Sequence, residues 1–174
     1  YGTLEEELVQ NSVICTSPSK SFNIAGLQTA NILIPNPRLR ADFRRENAAT
    51  GYSQGNALGI TAVRAVCEHG DAWLDALLSY LQENLDFFRS FLQTRIPEIT
   101  LIEPEGTYLL WVDFSNAVSS CEELHQLIVD KAHLWLDDGL IFGKEYALFE
   151  RFNIACPRST LEQALTQLEQ AIHS

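Results

Sequence analysis

The sequence predicts an α/β protein, and three observations carry that prediction. Apolar residues recur at steps of three and four from about residue 71 to residue 95, which is the spacing of one buried helical stripe. The β-prone segments 99–102 and 108–114 flank a proline and a glycine, residues that favour a tight reversal between antiparallel strands. In segment 149–155 apolar and polar residues alternate, as in a strand with one buried face.

The remaining elements follow from local signals. In chain order we predict strands at 12–15 and 31–34 and helices at 38–47, 56–68, 120–132 and 159–173. The first two strands are short and largely apolar, which is typical of a sheet covered on both faces. Ser120 with Glu123, and Ser159 with Glu162, have the spacing of reciprocal helix caps. We expect two domains, residues 1–70 and residues 71–174.

Composition limits the classes of function. A chain of 174 residues with 46% hydrophobic content can bury a core. Its net charge of -11 opposes binding to nucleic acid and to anionic membranes. No apolar run is long enough to span a bilayer and no signal peptide is recognisable, so we expect a cytoplasmic protein.

Cysteines, histidines and tryptophans give no sign of a metal site. The four cysteines lie far apart without paired spacing, so we expect neither zinc nor a disulfide framework, but buried thiols. The four histidines share no common spacing. The tryptophans, Trp73, Trp111 and Trp135, fall within apolar patterns and are interpreted as core residues.

A single lysine follows the first predicted strand among hydroxyl groups. Lys20 ends the segment Ser17-Pro18-Ser19-Lys20. A lysine amine becomes nucleophilic when desolvation or neighbouring cations lower its pKa, and hydroxyls and backbone amides beside it are suited to a phosphate. The alternative is a solvated turn that carries an exposed lysine.

The motif around Lys20 and three later segments of the sequence resemble one protein family. Ser-x-x-Lys followed by Phe-Asn-x-x-Gly-Leu, in residues 17–27, resembles the cofactor-lysine motif of fold-type I pyridoxal-phosphate enzymes. The resemblance continues through 106–114, 138–143 and 152–159, in the right order, and covers essentially the whole chain. It is closest to the cystathionine β-lyase branch, the MalY and PatB type, of the class I/II aminotransferase superfamily.

The resemblance implies the fold and a set of site residues. The fold is the carboxy-terminal part of the pyridoxal-phosphate-dependent transferase fold, with a remnant of the large domain and a small α/β domain. Lys20 would hold pyridoxal 5'-phosphate and act as general base, and Ser17 would contact the cofactor phosphate. Ser19 would either assist Ser17 or be an ordinary turn hydroxyl. Arg158 would bind the substrate α-carboxylate, for which a guanidinium offers two parallel donors. Its alternative is a surface arginine at a helix start.

The implied activity is that of a carbon-sulfur β-lyase acting on amino acids. Gln28 stands where aspartate-type aminotransferases carry an arginine, which favours the lyase, but an aminotransferase stays open. A third possibility is a non-catalytic dimerisation or regulatory module. The full-length protein is expected to be a homodimer. The chain starts at Tyr1 and contains no methionine, so we expect a fragment. Because only 19 residues precede Lys20, we expect the upstream half of the cofactor-binding domain to be missing from it, and the fragment to bind the cofactor weakly and to turn over nothing.

The stretch 51–56 is open to two interpretations. It resembles the family segment that approaches the cofactor of the neighbouring subunit, and it is equally typical of an interhelical loop.

Overall fold

The computed structural model describes residues 3–52 and 55–174, which form two compact units. The first unit is Tyr1–Ala76 and the second is Leu77–Ser174. The boundary falls inside a long helix, Asp71–Arg95, whereas the sequence places it at residue 70. Each unit has its own sheet, and both contain helices, so the α/β class is confirmed.

The first unit combines a small hairpin with helices. Its elements are α1 (Glu6–Gln10), β1 (Ile14–Thr16), a 3-10 helix (Ala25–Leu27), β2 (Asn31–Leu33), α2 (Pro37–Ala49), α3 (Ala57–His69) and the start of α4 (Asp71–Arg95). Strands β1 and β2 are antiparallel, with Cys15 opposite Ile32. Helix α2 begins because the Asn36 side chain accepts hydrogen bonds from two free amides and Pro37 suits the first helical position.

The second unit is a four-stranded sheet with helices. After the rest of α4 come β3 (Thr100–Ile102), β4 (Leu109–Asp113), α5 (Cys121–His125), a π-helix (Gln126–Lys131), β5 (Asp137–Asp138), 3-10 helices (Gly139–Ile141 and Lys144–Tyr146), β6 (Phe149–Asn153) and α6 (Arg158–Ile172). The strand order is β3-β4-β6-β5, and every pairing is antiparallel. Leu101 lies opposite Val112, and Leu110 lies opposite Phe152.

The core of the second unit lies on one face of this sheet. Strand β4 buries alternate residues, Leu110 and Val112, as a period of two requires. Helix α4 and helix α6 supply much of the rest of the core, namely Phe88, Phe91, Leu92, Leu161, Leu165, Leu168 and Ala171. Helix α5 and the π-helix add Leu124, Leu127 and Ile128. The helical stripes predicted from the sequence are therefore confirmed for the second half of α4 and for α6.

Some local predictions are wrong. Strands β1 and β2 carry mostly exposed residues, so within this chain they are not a sheet covered on both faces. Ser120 does accept a bond from the Glu123 amide, but α6 begins at Arg158 after Pro157 and has no side-chain cap. Because Pro157 is the residue before the helix and Arg158 is its first residue, Ser159 lies inside the first turn and cannot be the capping residue.

The tryptophan and cysteine predictions are also partly wrong. Trp73 is 50% exposed and Trp135 is 88% exposed, whereas Trp111 is half-buried and stacks on Phe149 with ring centroids 5.4 Å apart. All four cysteines are free; two are exposed and two are partly buried, so none is a fully buried thiol. Within residues 3–52 and 55–174 no helix is long and apolar enough to cross a membrane.

Candidate active site

Lys20 lies in a compact turn after β1. The turn is closed by two backbone hydrogen bonds, from the Phe22 amide to the Pro18 carbonyl at 3.0 Å and from the Ile24 amide to the Ser19 carbonyl at 3.1 Å. The Lys20 side chain is exposed, and its amine makes no hydrogen bond or ion pair with any described residue. The turn therefore exposes the Lys20 amine to solvent without a bond to another described residue.

The two serines of this turn differ in what they bind. Ser17 Oγ donates to the Thr29 carbonyl at 2.8 Å and accepts from the Ser19 amide at 3.2 Å, which ties the turn to the segment after the 3-10 helix. Ser19 is half-buried, and its hydroxyl has no partner among the residues that the structure covers. The Ser19 hydroxyl is thus the freer of the two donors.

Arg158 is the first residue of α6 and is bound on three sides by one face of α4. Its backbone amide donates to the Tyr80 hydroxyl at 2.7 Å, and its Nε donates to Asn84 Oδ1 at 2.9 Å. Its guanidinium carbon lies 4.6 Å from the centre of the Phe87 ring, a cation–π distance. Tyr80, Asn84 and Phe87 are spaced four and three positions apart in α4, so they share one face of the helix and can all contact the same arginine.

Asn84 is the polar centre of this arrangement and is fully buried. Its Nδ2 donates to the carbonyls of Ile154 at 2.9 Å and Cys156 at 3.1 Å, in the segment that leads from β6 to Arg158. Both amide hydrogens are thereby used, so the amide oxygen is left to accept from Arg158. Sequence reasoning missed Asn84, although a polar residue four positions before Phe88 on the buried stripe was a usable signal.

The charge of Arg158 has no acidic partner in the second unit. Of the four arginines there, three bind carboxylates, in the pairs Arg89–Glu103, Arg95–Glu169 and Arg151–Asp137. The Arg158 guanidinium contacts only the neutral amide of Asn84 and the neutral Phe87 ring within the part of the chain described. A half-buried guanidinium that is oriented but not neutralised is able to bind an external carboxylate.

The predicted site residues fall in two groups. Ser17, Ser19 and Lys20 share one turn of the first unit, and Arg158 belongs to the second unit. Ser53 and Gln54, in the stretch that resembles a subunit-contact segment, lie outside the described residues. Among the described residues no group of three or more histidine, cysteine or acidic side chains could hold a metal ion.

Comparison with known protein families assigns the chain. The family model for aminotransferase class I and II matches residues 2–168, which is nearly the whole sequence. The chain therefore belongs to the class I and II aminotransferase family, as the lysine and arginine motifs predict.

Its relatives include two proteins of the predicted branch. The chain is 35% identical to cystathionine beta-lyase PatB of Bacillus subtilis over 99% of its length and 44% of that protein. It is 33% identical to protein MalY of Escherichia coli, over 92% of this chain and 42% of MalY. The chain thus spans less than half the length of these curated relatives.

A solved structure confirms the fold. Cystalysin from Treponema denticola, whose crystal structure contains pyridoxal 5'-phosphate, matches with a TM-score of 0.93 and 32% identity. The match covers 99% of this chain and 44% of cystalysin. The fold is that of the pyridoxal-phosphate-dependent aminotransferases.

Proposed function

We propose that this chain is the carboxy-terminal portion of a pyridoxal-phosphate-dependent carbon-sulfur β-lyase that acts on amino acids. The main observation behind it is that Arg158, alone among the arginines of the second unit, binds no carboxylate of a described residue, and that its guanidinium is held by the neutral amide of Asn84. The proposal is supported by the similarity to PatB and MalY and by the lysine turn of the first unit. It includes an amino-acid substrate, a homodimer and a cytoplasmic location for the full-length protein.

The residues of the lysine turn fit the cofactor. The cofactor aldehyde can attach covalently only to an amine that it can reach, and the amine of Lys20 has no bond to any residue in the described ranges. A phosphate requires hydrogen-bond donors, and the Ser19 hydroxyl, one residue before Lys20, has no partner among the described residues and can donate. Ser17 already donates to Thr29, so it would contact the phosphate only after that bond is exchanged.

Each residue has a distinct part in the proposed chemistry. Pyridoxal phosphate, when bound, supplies the electron sink for a carbanion at the substrate α-carbon. Lys20 would hold the cofactor through its Nζ, and the same Nζ would take the α-proton of the substrate as general base. Arg158 holds the α-carboxylate with charge-assisted hydrogen bonds and so fixes the orientation of the α-carbon.

The test uses the full-length gene product with added pyridoxal phosphate. We expect pyruvate release from L-cystathionine, and we expect Lys20→Ala to lower the rate at least about 100-fold because general-base catalysis alone contributes about 10²–10⁴-fold. Lys144→Ala is the matched control, since Lys144 lies in a 3-10 helix of the second unit, and it should leave the rate unchanged.

Two other outcomes would change the assignment. Amino transfer to a keto acid without pyruvate release would identify an aminotransferase, the activity for which the family is named. A full-length protein that folds and dimerises, with no covalent cofactor attachment, would identify a non-catalytic module. Light scattering of the same sample measures the dimer independently of the reaction.

A further inference from the structure

We infer that Asn84 is a positioning residue for substrate binding, which acts by fixing the guanidinium of Arg158. The inference rests on the proposed function, in which Arg158 binds the substrate carboxylate. It adds a residue, a geometry and a selectivity to that site.

The first step concerns the orientation of Asn84 itself. The side chain is fully buried, and its two amide hydrogens donate to two carbonyls of one segment, those of Ile154 and Cys156. Turning the amide over would place its oxygen against both carbonyl oxygens and leave one buried and one partly buried acceptor without a donor, which is costly. The oxygen of Asn84 therefore has one position.

The second step concerns what that oxygen does to Arg158. It accepts from Nε at 2.9 Å, on the inner side of the guanidinium, while the Phe87 ring covers one face of the same group. Nε is then used, so a carboxylate cannot bind side-on through Nε and one terminal nitrogen. Both terminal nitrogens have no hydrogen-bond partner among the residues described and are available for an end-on, bidentate carboxylate.

The third step concerns charge. A carboxylate in the place of the Asn84 amide could also accept from Arg158 Nε, but it could not donate to the carbonyls of Ile154 and Cys156. It would also neutralise the guanidinium, as acidic partners do for the other three arginines of the second unit. A neutral amide fixes the group and leaves its full charge for the ligand. The arrangement therefore selects ligands that carry a carboxylate.

The experiment compares ligands with and without that carboxylate, using the full-length gene product. The probes are an S-alkyl-3-mercaptopropionate, which has a carboxylate and no amine, and an S-alkylcysteamine, which has an amine and no carboxylate. Inhibition constants are measured with the cofactor bound, and binding of the first probe is also measured by calorimetry without cofactor. KM and kcat for L-cystathionine complete the comparison.

In Asn84→Leu we expect the carboxylate probe to bind about 10-fold more weakly, because one hydrogen bond that orients a charged group is lost. The amine probe should bind within about twofold of the original protein. KM for L-cystathionine should rise about 10-fold with kcat nearly unchanged, the pattern of an interaction present in both ground state and transition state.

Control variants separate positioning from folding. Leu92→Ala removes a core side chain two turns further along α4 and should weaken both probes equally or neither. If Asn84→Leu does not fold, Asn84→Ser, which is too short to reach Nε, decides the question with the same expected pattern. Equal weakening of both probes in the Asn84 variants would overturn the inference.

The outcome for Arg158 distinguishes the two levels of the proposal. If Arg158→Ala weakens the carboxylate probe and the Asn84 variants do not, the positioning role is wrong and the proposed function stands. If Arg158→Ala has no effect on the carboxylate probe, the proposed carboxylate site is wrong, and the role of Asn84 fails with it.

Discussion

Arg158 Nε donates to Asn84 Oδ1 at 2.9 Å, although the two residues are 74 positions apart in the chain. The same asparagine binds the carbonyls of Ile154 and Cys156, so one buried side chain connects α4 both to the end of the sheet and to the first residue of α6. This side chain therefore contributes to stability as well as to the position of the guanidinium.

The stability contribution can be measured with Asn84→Asp. The carboxylate has no hydrogen to donate, so the buried carbonyl of Ile154 and the partly buried carbonyl of Cys156 lose their donor and face a negative charge. We expect the free energy of unfolding to fall by about 2–4 kcal/mol, at about 1–3 kcal/mol for each unsatisfied group and with some compensation from Arg158. Urea unfolding followed by circular dichroism is the measurement.

Asn153→Asp is the matched control for that substitution. Asn153 is exposed and uses its side-chain oxygen to accept from the Ala155 amide, a bond that aspartate retains. The change should stay within about 0.5 kcal/mol, as is usual at surface positions. A loss in Asn84→Asp no larger than this would contradict the hydrogen-bond assignment of Asn84.

A buried carboxyl in β6 should make stability depend on pH. Glu150 is 5% exposed and lies opposite Asp138 in the pairing of β5 with β6. Burial, with smaller contributions from Asp138 and Asp137, raises the pKa of Glu150 to about 7. Its Oε2 has no hydrogen-bond partner among the described residues, so no donor at that oxygen opposes the shift.

The direction of the pH effect follows from linkage. Below about pH 4.5 the carboxyl is protonated in both states, and as pH rises to about 7 it ionises first in the unfolded chain. The stability present at low pH is therefore lost across that window, by up to about 3 kcal/mol at 1.36 kcal/mol per pKa unit. Glu150→Gln should remove this slope and stabilise the protein above pH 7.

Glu105→Gln is the control for Glu150→Gln, because Glu105 is exposed in the turn between β3 and β4. It should leave the pH profile of stability unchanged. A Glu150→Gln protein that keeps the slope between about pH 4.5 and pH 7 would show that Glu150 does not cause it.

Gly139 is required by the close approach of two backbone segments. A Cβ at this position would overlap the carbonyl oxygen of Tyr146 and lie 2.7 Å from that of Phe149, and neither atom is a flexible side-chain end. We expect Gly139→Ala to lower the free energy of unfolding by about 1–3 kcal/mol or more, as overpacking does. Gly106→Ala, with nothing within 4 Å of its Cβ, should change stability little. Equal stability of the two variants in thermal unfolding would contradict this packing.

The sequence predicted the regular parts of the fold well. The stripe in the second half of α4, the alternation in β6 and the reversal between β3 and β4 are local patterns, and all three are present. Burial of Trp73 and Trp135 was predicted from apolar neighbours, yet both are exposed in this chain. A local pattern shows where apolar residues lie along the chain, but it does not show whether another part of the chain packs over them.

The candidate site was predicted unevenly for a similar reason. Lys20 and Arg158 are predicted because both lie in sequence motifs that resemble those of the family, and their roles are still proposals. Asn84 belongs to no such motif, and its function depends on contacts with residues 70 or more positions away. Long-range contacts of this kind are visible only in the folded chain.

The central claim, that Lys20 holds the cofactor, has a direct test in the lysine content of the chain. There are three lysines, Lys20, Lys131 and Lys144, so the other two serve as internal controls. Full-length protein is incubated with pyridoxal phosphate, reduced with borohydride, digested and analysed by mass spectrometry. We predict one pyridoxyl group on the peptide that contains Lys20; a label on Lys131 or Lys144, or no label on Lys20, would contradict the account.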